Sequence, residues 1–148
     1  MLLAAKSALT DALTSGPISG YPMEDVTVRI TAIEAQDAEG VTGAVAAAVG
    51  GAFRKAMQAA APVLLVPQMG MEVIVPEEFL GEVIGDLTGR AGEILNVERR
   101  PPIAMVTARA PLTKLFGYST VVRSLSQGRG TFTMKFDRFD SAGAQKPH

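Results

Sequence analysis

The 148-residue chain has no cysteine, no tryptophan and a single histidine, the terminal His148. Without cysteine it has no disulfide framework and no thiolate metal site. A lone terminal histidine removes His-based catalysis and His-ligated metals from consideration. No apolar run reaches the roughly 18 residues of a membrane span, and the first residues lack the basic start and cleavage site of a secretory signal. A G-x-x-x-x-G-K-[ST] phosphate loop is missing too. The glycines at 40, 43, 50 and 51 come nearest, but they sit in a helical stripe and have no lysine beside them.

What is there suits a folded chain. Hydrophobic residues make up 47% and charged residues 20%, ordinary values for one medium or two small domains. The net charge of −1 hides an asymmetry. Residues 1–98 carry five basic side chains against thirteen acidic ones, whereas residues 99–148 carry nine Lys or Arg against Asp137 and Asp140 alone. A basic C-terminal third attracts phosphate and makes binding salt-dependent; a solvated polar face would have the same composition.

The hydrophobic pattern divides the chain. Residues 2–14 have a helical stripe, stopped by Ser15-Gly16-Pro17. Residues 25–31 alternate, with Val26, Val28 and Ile30 apolar, and read as a strand. Residues 34–40 read as a polar connection. From Val41 a long helical stripe runs to Met57, and its glycines suggest close approach to a sheet. The proline-fenced PVLLVP at 62–67 marks a boundary, giving domains at 1–66 and 67–140 and a frayed tail at 141–148. Beyond the boundary the order is strand 71–75, helix from Pro76, strands 94–99 and 103–110, a helix, and strand 131–137. The second helix takes Leu112, Leu115, Phe116 and Val122 as its apolar face. This is the βαββαβ order of a ferredoxin-like fold. The chain is expected to be α+β: a ferredoxin-like domain preceded by a partial α/β domain of helix, strand and helix.

Residues 111–136, PLTKLFGYSTVVRSLSQGRGTFTMKF, are the most distinctive stretch. Pro111, Leu112, Phe116, Gly117, Tyr118, Thr120, Arg123, Ser124, Gln127, Gly128, Arg129, Met134 and Phe136 keep the spacing found in the last domain of elongation factor G. Residues 76–87, PEEFLGEVIGDL, also resemble that family, as do SGPISGYP at 15–22 and PVLL at 62–65. The resemblance spans about residues 9–139 and concerns only the C-terminal part of such a factor.

The resemblance implies a ribosome-binding fragment of a translational GTPase that couples GTP hydrolysis to movement of tRNA and mRNA. The GTPase domain, with its GTP and magnesium, would lie outside this chain, which is expected to be no enzyme and to need no cofactor or metal. Its implied partners are large-subunit ribosomal RNA near the sarcin–ricin loop and stalk base, and tRNA and mRNA in the A site, with no membrane involved. The implied location is the cytoplasm, or a mitochondrial or plastid matrix. Candidate RNA contacts are Arg123, Arg129, Gln127 and Gly128, followed by Arg90 and Lys114, because arginine suits bidentate phosphate contacts. Tyr118 and Phe116 are expected to pack within the fold.

Two departures from the family pattern stand out. Gly89-Arg90-Ala91-Gly92 keeps one arginine where the family commonly has three, and residues 33–42, IEAQDAEGVT, lack the histidine and D-S-S-E-type tip. The second leaves room for a paralogue acting in ribosome recycling. A free-standing ferredoxin-like sensor or oligomerisation module is the alternative from a different class.

Overall fold

The computed structural model describes residues 1–34 and 41–141. The chain divides into two compact units, Met1–Val63 and Leu64–His148.

In the first unit, helix α1 (Leu2–Thr14) packs on helix α2 (Val41–Ala60). Ala5 from α1 and Val45, Phe53 and Met57 from α2 are buried. The four- and eight-residue spacings within α2 put its buried side chains on one stripe. After α1 the chain folds back: the Gly16 N–H donates to the Tyr21 carbonyl (3.0 Å) and the Met23 N–H to the Leu13 carbonyl (2.8 Å).

Two expectations fail here. Residues 25–31 do not form a strand, and the described residues of this unit contain no other. Alternation supplies a face to bury, but a strand also needs a hydrogen-bonded neighbour. The glycines of α2 do not mediate a close approach either. A Cβ built on Gly43, Gly50 or Gly51 meets nothing within 4 Å. The polar connection expected at 34–40 falls, apart from Glu34, outside the described residues, as does the tail over 142–148.

The second unit is a four-stranded antiparallel sheet in the order β2-β3-β1-β4, formed by β1 (Leu65–Pro76), β2 (Glu93–Arg100), β3 (Ile103–Pro111) and β4 (Thr131–Ser141). Helix α3 (Leu80–Gly89) links β1 to β2, and α4 (Tyr118–Leu125) links β3 to β4. This is the α+β, ferredoxin-like arrangement. Met71, Val73 and Val75 of β1 and Ala104, Val106, Ala108 and Ala110 of β3 point to one side. They pack with Leu80, Val83 and Leu87 of α3 and with Leu115, Tyr118 and Val122, so both helices cover the same face. The small alanines of β3 give the helices room to sit close to the sheet.

β1 begins at Leu65, six residues before the expected strand. Its pairing with β3 starts only at Gln68, so Pro67 lies where β1 has β4 as its one neighbour. A residue without an N–H is tolerated at such a position, and proline there does not end the strand.

The uncovered face has its own polar lock. Arg109 on β3 donates from Nη1 to Glu93 on β2 (3.1 Å) and from Nε to Asp137 on β4. The Asp137 carboxylate lies beyond β1, whose residue paired to Arg109 is Gly70. Gly70 has no side chain to stand between them. The hydrogen bond that Arg109 donates to Asp137 is the largest cause holding the Arg109 pKa above its ordinary value.

Candidate nucleic-acid interface

The basic residues singled out above gather at the two ends of α4. At its C-terminus the last turn carries Arg123, and the chain leaves through two consecutive left-handed residues, Gln127 (φ 54°) and Gly128 (φ 80°). Glycine reaches this region freely, whereas a side-chain-bearing residue there costs about 1 kcal/mol or more. Hydrogen bonds hold the turn. The Gly128 N–H donates to the Arg123 carbonyl (2.7 Å), and the Arg129 N–H donates to the Ser126 carbonyl (3.1 Å). Ser126 is fully buried; its Oγ donates to the Val122 carbonyl (2.6 Å) and accepts from the Gly130 N–H (2.7 Å).

Arg123, Gln127, Gly128 and Arg129 are all exposed, and the turn brings them together. Their side chains are not equivalent. Arg129 is committed: its Nη2 donates to Glu78 and its guanidinium lies over the Phe79 ring at 5.1 Å. The Arg123 guanidinium makes no hydrogen bond or ion pair among the described residues.

Arg90 and Lys114 meet at the other end. The Arg90 Nε donates to Asp86 (2.8 Å), its Nη1 donates to the Lys114 carbonyl (2.8 Å), and its guanidinium lies 5.3 Å from the centre of the Tyr118 ring. Arg90 therefore ties the end of α3 to the 3-10 turn at Leu112–Lys114. The Lys114 ammonium has no such partner among the described residues. The two groups lie at opposite ends of an eight-residue helix about 12 Å long.

Tyr118 packs as expected, 1% exposed, edge-on to Phe132 at 5.1 Å. Phe116 does not pack, being 77% exposed. Gly117 takes φ 72° and α4 starts only at Tyr118, so Leu115 and Phe116 both precede the helix, in a turn that buries Leu115 and leaves Phe116 outside.

The Tyr118 hydroxyl is buried without a hydrogen-bond partner among the described residues. Burial, reinforced by Asp86 and opposed by Arg90, pushes its pKa from 10.0 up to about 12. The folded state thus holds this proton more tightly than the unfolded chain. That contribution to stability is complete below pH 10 and is lost as pH rises towards 12. Between those limits wild type should lose about 2–3 kcal/mol relative to Tyr118→Phe, at about 1.4 kcal/mol per pH unit. Urea midpoints measured on both proteins from pH 9 to 12 test this, and parallel curves would refute it.

Residues 3–61 match the model of elongation factor G, domain IV, and residues 63–148 match that of the elongation factor G C-terminus. The chain belongs to the elongation factor G family. Elongation factor G from two strains of Dehalococcoides mccartyi is 41% identical to it over 138 residues, covering 93% of this chain and 20% of each relative. The chain thus spans about a fifth of the length of the curated relatives it matches. A solved structure from Thermus thermophilus matches 97% of this chain and 22% of its own length, with a TM-score of 0.72 and 26% identity.

Within this elongation factor G domain pair, sequence reasoning missed Glu78 and Phe79 as the partners of Arg129. Glu78 reads as a first-turn acid, and nothing local shows that Arg129, 51 residues on, folds against it. The exposure of Phe116 did have a signal: the glycine that follows it. Among the described residues, no cluster of His, Asp or Glu could hold a metal, and no helix is long and apolar enough to cross a membrane.

Proposed function

We propose that this chain is the ribosome-binding C-terminal portion of an elongation factor G-type translational GTPase that moves tRNA and mRNA. Its second unit would contact large-subunit ribosomal RNA near the sarcin–ricin loop and stalk base. Its first unit would approach the tRNA and mRNA of the A site. The phosphoryl chemistry, with GTP and magnesium, belongs to a GTPase domain, and this chain binds and transmits rather than catalyses. The cytoplasm is the proposed location, with an organelle matrix as the alternative.

One observation carries the reading. In a chain matched end to end by the two family models, the exposed C-terminal turn of α4 presents Arg123, unpaired among the described residues, beside a glycine-bearing backbone corner. Arg123 is positioned to reach phosphate without first giving up an acidic partner. Ribosome pelleting across a salt series tests the proposal. Arg123→Ala should weaken association and lower the slope of log affinity against log salt by about one. Arg129→Ala should lower it less, because Glu78 already neutralises part of that charge. Circular dichroism controls for folding. Wild-type affinity and slope in a folded Arg123→Ala protein would overturn the assignment.

A recycling paralogue is the second reading, favoured by the IEAQDAEGVT segment and its lack of a histidine. It predicts that a whole factor bearing this chain splits ribosomes but does not support tRNA movement.

A further inference from the structure

The turn ahead of α4 exposes an aromatic ring where a folded domain would ordinarily bury one. At 77%, Phe116 is more exposed than Tyr21 (61%), Phe136 (53%) or Phe139 (48%). It is not a loosely held loop residue. Leu115 on one side is 4% exposed and Tyr118, two residues on, is 1% exposed, so both are anchored in the core. The backbone between them is fixed: the Leu115 N–H donates to the Leu112 carbonyl (3.0 Å) and the Tyr118 N–H to the Leu115 carbonyl (3.1 Å). Arg90 holds the Lys114 carbonyl from outside (2.8 Å). The core positions beside Phe116 are therefore filled, and its ring is presented outward from a rigid support.

The charges around it select a partner. Lys114 sits in the same turn and its ammonium is unpaired among the described residues. Asp86, the acid serving this end of α4, is already taken by Arg90. A rigid exposed ring beside an unneutralised cation matches RNA recognition, in which an unstacked base lies on an aromatic face while a cation meets the backbone. A protein partner covering Phe116 would have to bring its own acid to Lys114.

We propose that Phe116 is a stacking platform for an unpaired nucleobase of single-stranded or looped RNA, with Lys114 contacting the adjoining phosphate. For its biological setting this rests on the ribosome-binding reading. It adds a second contact, at the opposite end of α4 from Arg123.

The absence of tryptophan supplies the assay. Phe116→Trp introduces the only indole of the chain at the proposed platform. A single-stranded adenine hexaribonucleotide at low salt should quench its emission, whereas the same backbone without bases should not. In parallel, Phe116→Ala should weaken binding to large ribosomal subunits about 5- to 100-fold at fixed salt. It should leave the salt slope unchanged, since no charge is removed, and Phe116→Tyr should restore affinity. Absence of quenching by the hexaribonucleotide, or wild-type affinity in Phe116→Ala, overturns the proposal. If Phe116→Ala weakens subunit binding while the hexaribonucleotide fails to quench, the ring docks on a ribosomal protein instead. If wild type fails to bind subunits yet base-dependent quenching persists, the ribosome reading falls and the platform stands.

Discussion

Leu87→Ala should cost about 2–5 kcal/mol and lower the melting temperature of the sheet-bearing unit by about 10–30 °C. Leu87 is completely buried on α3, beside Val83 (0% exposed) and Leu80 (4%), over the alanines of β3. Alanines have no atoms to spare for filling the space it would leave. Collapse of α3 onto the sheet is resisted as well, because the chain after α3 is fastened to residue 87 itself. The Gly92 N–H donates to the Leu87 carbonyl (2.8 Å), and a Cβ at Gly92 would lie 2.6 Å from that oxygen. The upper part of the range is therefore expected. Thermal melts followed by circular dichroism measure it, with Leu95→Ala as control, since Leu95 is 47% exposed. Equal shifts in the two variants would mean that Leu87 does not anchor the core.

Gly130→Ala should be the most damaging change at the basic turn, costing about 2–4 kcal/mol through overpacking and a lost cap. An added Cβ would lie 2.6 Å from the Ser126 Oγ and 2.9 Å from Val75 Cγ1. The first contact forces Ser126 away from the Gly130 N–H, leaving a buried donor unpaired. The second presses on the central strand. The variant should also bind ribosomes more weakly, because Arg123 and Gln127 are placed by the same corner. A double-mutant cycle with Ser126→Ala separates the causes. Removing Oγ relieves one clash and already forfeits the cap, so the pair should cost at least about 0.5 kcal/mol less than the sum of the singles. Strict additivity would show that Ser126 and Gly130 do not act as one unit.

The second unit is legible in the sequence because its signals are local and agree with one another. Met71, Val73 and Val75 alternate, Leu80, Val83 and Leu87 recur at helical spacing, and the order of elements leaves one common topology. The early start of β1 is not legible, since Pro67 reads as a terminator until the strand's second neighbour is known to be absent there. Residues 25–31 mark the opposite limit: alternation declares a face, while strand formation depends on a partner that no local pattern reveals. At the candidate site, Arg123 and the Gln127-Gly128 corner can be read from the sequence. The commitment of Arg129 to Glu78 cannot, because it joins a helix end to a turn across the fold. Reading Phe116 as part of the second helix misplaces it, because α4 starts only at Tyr118, after the left-handed Gly117.

The ladder between β1 and β4 shifts register between Gln68 and Met69. Met69 pairs with Phe136 and Gln68 with Arg138, so Asp137 is the additional residue. Excise it on paper and the ladder closes without a fault: Phe136 still faces Met69, Arg138 faces Gln68 and Phe139 faces Pro67. No side chain changes sides, and the Phe136–Phe139 contact at 5.2 Å stays on one surface. The one thing lost is a carboxylate within reach of Arg109. Asp137 is thus an insertion that leaves the strand's grammar intact while adding a word to it: an acid delivered to a basic neighbour two strands away.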